Sequence, residues 1–202
     1  MNSIIDIFKN ANKFATYNIN GKKESKYSYK YFFFVVFPWV FSLILVFISR
    51  DRFNFEFTTI GALLSLFTGL LFGLLLKISD KVREIPEKKS LKSENDKNKR
   101  TQELNYLKLF FYFLSYSIVI ALFLISLLII QSFAPELLQA KISNYFFVLD
   151  INLSTLKCFL FVLTIFCYRF FVVFCLVSFI MYILLSISYL YEYIKFDFSK
   201  IQ

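Results

Sequence analysis

Residues 109–134 read LFFYFLSYSIVIALFLISLLIIQSFA, twenty-six consecutive positions without an Asp, Glu, Lys or Arg. A bilayer hydrocarbon core is about 30 Å thick and takes about 20 helical residues at 1.5 Å each, so this stretch is long enough to cross one. Lipid offers no hydrogen bonds to an exposed backbone, which leaves helices and closed barrels as spanning structures. The stretch has none of the in-out alternation of a barrel strand. A membrane helix over 109–134 is therefore the starting point.

Three further uncharged runs flank it: 57–76 with twenty residues, 31–49 with nineteen and 170–191 with twenty-two. The whole chain is 58% hydrophobic, against about 45–50% for a soluble domain. The fold expected is all-α, an integral membrane four-helix bundle with spans at 31–49, 57–76, 109–134 and 158–191. Segments 1–30, 77–108, 135–157 and 192–202 remain outside the bilayer, with 77–108 as a basic helical hairpin whose residues 87–100 form a linker. The last span is over-long, because Arg169 is the one charge between Cys158 and Tyr191. Either it tilts and protrudes, or 158–168 lie outside the hydrocarbon. No small-residue cleavage site follows 31–49, so this run is expected to stay in the mature chain. Pro38 within it predicts a kink.

Basic residues orient the spans, because Lys and Arg accumulate on the cytoplasmic side. Lys9, Lys13, Lys22, Lys23, Lys26 and Lys30 precede the first span, ten more lie between Lys77 and Lys108, and Lys195 and Lys200 follow the last. The opposite side holds Arg50, Arg52, Lys141 and Lys157. Both termini are expected in the cytoplasm, in the bacterial inner membrane. The net charge of +9 then faces anionic headgroups, and no direct nucleic-acid role is expected. Near the N-terminus, Ile4, Ile7, Phe8, Ala11, Phe14 and Ala15 share a face opposite Asp6, Lys9 and Lys13. This amphipathic helix suits the membrane interface, or a dock on the chain's own cytoplasmic loop.

Three of the chain's four glycines fall in the second span, as Gly61-x-x-x-Ser65-x-x-x-Gly69-x-x-x-Gly73. Fourfold spacing sets these small residues on one helical ridge, where two backbones can approach closely. Glycine costs stability inside a helix, so the cluster calls for helix packing against another span or a second copy, or for the lining of a pore. Arg169 is the intramembrane or interfacial charge. It snorkels to the outer headgroups beside Tyr168, Phe170 and Phe171, pairs with an outer-loop carboxylate such as Glu136 or Asp150, or serves conduction or sensing.

Catalytic equipment is missing. There is no His, so Cys158, Cys167 and Cys175 have no imidazole partner, and their spacing is not that of metal ligands. No span carries paired carboxylates and no phosphate-binding glycine loop occurs. Neither an enzyme nor a cofactor is expected. Phe, Ile, Lys, Asn and Tyr all have A/T-rich codons, so the 21% aromatic content is not read as a binding surface.

In its glycine-ridged second span, its basic hairpin after Lys77 and Ser115-Tyr116-Ser117-Ile118 in the third span, the chain resembles small four-span bacterial membrane proteins of phage-defence operons, such as the membrane subunit of the Kiwa system. The resemblance implies a homo-oligomer that senses infection and recruits or releases a cytoplasmic, DNA-binding effector. The function expected is an oligomeric membrane sensor or anchor in antiviral defence, with Lys88, Lys89 and Lys92 as partner surface. The alternatives are a channel or membrane-disrupting effector, and third, a small transporter.

Overall fold

The computed structural model describes residues 2–15, 29, 32–49, 51, 56–84, 93–142 and 153–198. The regular elements among them are all helical: α1 (Asn2–Ala15), a π-helical turn (Phe32–Val36) running into α2 (Phe37–Ile48), α3 (Phe57–Glu84), α4 (Glu94–Phe133), α5 (Glu136–Gln139) and α6 (Leu153–Phe198). Three of them contain stretches long and apolar enough to cross a membrane, Thr58–Glu84, Lys97–Phe133 and Ser154–Phe198. The fourth apolar stretch, Phe32–Ile48, is shorter. By length and composition, then, this is a membrane protein.

An antiparallel pair of very long helices organises the chain. At 40 and 46 residues, α4 and α6 extend about 60 and 69 Å, roughly twice a hydrocarbon core. Their seam holds Phe113, Leu114, Leu124 and Val172, all at most 1% exposed. The Phe113 and Tyr189 rings stack at 5.4 Å, and Tyr116 meets Tyr182 edge-on at 4.4 Å. Pairing continues past the apolar runs. Tyr193 donates its hydroxyl to the Glu103 carboxylate at 3.5 Å, and the Tyr106 and Phe196 rings lie 6.0 Å apart.

Both helices therefore run on beyond their uncharged stretches. The linker expected over 87–100 is helical from Glu94, where the Lys97 amide bonds the Ser93 carbonyl at 3.2 Å and an acidic residue favours the positive end of the helix dipole. The tail expected after Tyr191 is helical to Phe198, because its aromatic residues find partners on α4.

The remaining helices flank this pair. α3 packs on α4, α2 packs on α6, and among the described residues no extensive contact joins α2 to α3. Each outer helix turns a narrow face inward. On α3 the buried apolar residues are Leu64, Leu71 and Ile78, a single seam at sevenfold spacing. α2 buries Pro38, Ser42 and Val46 and lays Trp39 against Phe170 and Phe174 at 5.5 and 4.8 Å. Pro38 is the second residue of α2 and has no N–H to give to the preceding helical turn. The backbone accommodates it by changing from π to α geometry at Phe37.

The amphipathic helix also has a partner within the chain. α1 packs on the span helix α4, with Ala11 fully buried and the Phe8 ring edge-on to Tyr116 at 4.9 Å. Alanine lets the helices approach, and Tyr116 offers the aromatic face. Asp6, Lys9 and Lys13 point away and are exposed.

Candidate functional site

Arg169 lies about a third of the way along α6, is only 1% exposed and is the largest fully buried side chain described. Pro135 follows α4 and opens the one-turn helix α5, which folds back against α6. A helix end leaves carbonyls without intrahelical donors, and here they face the arginine. Its Nε donates to the Leu137 carbonyl at 3.2 Å, and one terminal nitrogen donates to Leu138 at 2.8 Å and also to Ala140. Asp51, after α2, is the carboxylate whose charge acts on the guanidinium. A planar cation with five donors suits such a cluster of acceptors.

Arg169 therefore does not snorkel outward, and Glu136 is exposed and is not the group it binds. Asp150 lies outside the described residues. The arginine is a clamp that ties the α4–α6 connection to α6, and the same end is fastened by the Tyr168 hydroxyl donating to the Leu127 carbonyl. Two buried polar side chains nearby in sequence pattern are unlike it. Among the described residues, Ser42 and Gln131 have no hydrogen-bond partner for their buried side-chain atoms, whereas Thr68, Ser117 and Thr164 bond carbonyls one turn back in their own helices, the usual device for a hydroxyl in an apolar layer.

The small-residue ridge is turned away from the chain's own core. Gly61 is half-buried, while Ser65, Gly69 and Gly73 are exposed. A Cβ added at Gly61, Gly69 or Gly73 would meet nothing within 4 Å among the described residues. The helical repeat of about 100° per residue explains this, because it places Gly69 and Gly73 nearly opposite the Leu64–Leu71–Ile78 seam. Around the ridge, Leu66, Leu70, Leu74 and Leu76 are also exposed.

No family model matches the chain, and neither curated proteins nor solved structures show a significant similarity.

Site chemistry thus rests on the residues alone. Cys158, Cys167 and Cys175 are free thiols spread along α6, and among the described residues no cluster of His, Cys, Asp and Glu could hold a metal ion. Lys88, Lys89 and Lys92 lie outside the described residues. Sequence reasoning missed the carbonyls that bind Arg169. The one signal for them is Pro135, which ends α4 and forces a turn whose C-terminal carbonyls need a donor.

Proposed function

We propose that this protein is an oligomeric membrane anchor or sensor subunit with four spans and both termini in the cytoplasm, working with a soluble cytoplasmic partner. The observation that carries this reading is the bare ridge on α3. A helix with three glycines on an outward face gains nothing from them inside its own chain, whereas a second copy could approach closely there. Four spans are supported by Phe32–Ile48, whose length reaches the lower end of the spanning range. The basic segments on one side support the orientation. A place in bacterial anti-phage defence is carried by the resemblance in 61–73, the hairpin and 115–118.

Topology is tested by fusing a periplasm-active reporter at successive points. Fusions after Phe55 and Asn144 are expected to be active, and those after Ser93 and Gln202 inactive. Activity at Ser93 would overturn the arrangement with four spans and the N-terminus inside.

The cytoplasmic partner is tested through charge. Between Lys77 and Lys108 the hairpin offers ten basic and six acidic residues, the largest polar target on that side. Exposed charges steer encounter and add salt-sensitive affinity. Reversing Lys88, Lys89 and Lys92 to Glu is expected to cut co-purification of a neighbour-encoded effector about tenfold or more at low salt, with membrane level unchanged. Equal recovery would place the contact elsewhere. If no protein co-purifies and the chain alone makes vesicles leak ions, the channel reading replaces this one.

A further inference from the structure

Between α3 and α4, just past the ends of their apolar runs, lies an open groove of about 580 Å³. Its walls are Ile78 and Val82 from α3 and Leu107 and Phe111 from α4, and it carries Arg83 and Lys108. Two observations set its depth. The uncharged runs end at Leu76 on α3 and begin at Leu109 on α4, so the groove straddles the handover from hydrocarbon to headgroup. Arg83 lies five residues beyond Ile78, about 7.5 Å further along the helix, whereas Phe111 lies on the hydrocarbon side of Lys108.

The charge fits the position. The last turns of α3 carry Lys77, Lys81 and Arg83 against Asp80 and Glu84, and Glu84 is engaged by Lys81 at 3.3 Å. The two basic residues of the groove are themselves exposed. A phosphate between a guanidinium and an ammonium receives charge-assisted bonds, and basic pockets between spans on the inner side are suited to anionic headgroups.

We propose that this groove binds one anionic phospholipid, its phosphate held by Arg83 and Lys108 and an acyl chain laid along Ile78, Leu107 and Phe111. The site uses neither the ridge nor Arg169. It rests on the membrane reading and on the orientation given above. Lipid retention is measured on purified protein and does not depend on which side faces inward, so its failure is separable from failure of the topology reporters.

The test is native mass spectrometry of the full chain from mixed micelles containing phosphatidylglycerol and phosphatidylcholine. Wild type is expected to retain the anionic lipid about tenfold over the zwitterionic one, a modest preference for two charge-assisted contacts. Arg83→Gln with Lys108→Gln is expected to abolish the preference. Lys9→Gln with Lys99→Gln removes the same charge from exposed sites away from the groove and is expected to keep it. Equal retention of both lipids by wild type, or equal loss in the two double variants, would overturn the site.

A second measurement guards against misfolding of the groove variant. In Trp39→Phe carrying Val82→Trp, emission is expected to be quenched by brominated phosphatidylglycerol at a several-fold lower mole fraction than by brominated phosphatidylcholine. Identical quenching curves would also overturn the proposal.

Discussion

Replacing Arg169 with methionine is expected to release the short helix α5 from α6. Methionine fills much of the arginine's volume but donates nothing, so the carbonyls of Leu137, Leu138 and Ala140 lose the donors they now share. Leaving buried acceptors unpaired costs about 1–3 kcal/mol each, less whatever water recovers. A net loss of about 2–4 kcal/mol is expected for the local structure. Since 1.4 kcal/mol is tenfold, the open form should become roughly thirty- to several-hundred-fold more populated.

Leu138, now 1% exposed, reports on it. In a background with Cys158, Cys167 and Cys175 changed to serine, Leu138→Cys should react with a water-soluble maleimide slowly when Arg169 is present and much faster in Arg169→Met. Arg169→Lys should fall between, since an ammonium keeps the charge without the fork of donors. Emission of Trp39, which packs on Phe170 and Phe174, should stay constant if the change is confined to α5. Identical labelling rates with arginine and methionine would show that the clamp holds nothing.

The second large effect concerns the ridge and has opposite signs in monomer and oligomer. Gly69→Leu and Gly73→Leu add side chains where nothing lies within 4 Å, and leucine is about 1 kcal/mol better than glycine inside a helix. The monomer should therefore keep or gain thermal stability. Self-association through this face should weaken, because each added side chain separates backbones that need to touch. At about 1–3 kcal/mol for such an overpacked contact, the dissociation constant rises roughly five- to over a hundredfold. Sedimentation or single-molecule photobleaching in defined lipid reads the oligomer, and a thermal scan reads the monomer. Wild-type oligomer size in both variants would remove the ridge from assembly. Loss of monomer stability would mean that the glycines serve the fold of a single chain.

Membrane insertion, an all-helical fold and the approximate place of each apolar helix were legible from the uncharged runs, because the bilayer sets a length that composition alone can meet. The special character of Gly61, Ser65, Gly69, Gly73 and Arg169 was legible too, as each breaks the pattern of its run. Their surroundings were not. Leucines at 64 and 71 bury while those at 66 and 70 face outward, and in lipid both faces of a helix are apolar, so the amphipathic contrast that betrays the inner face of a soluble helix is absent.

The sequence by itself therefore determined that the fold is helical with stretches apolar enough to cross a membrane, and which residues are unusual. Only the tertiary structure decided that Arg169 binds carbonyls of α5, that α1 docks on α4, and that the glycine ridge points away from its own chain. Those outcomes depend on which faces meet across distant segments, and hydropathy, a local property, carries no record of the pairing.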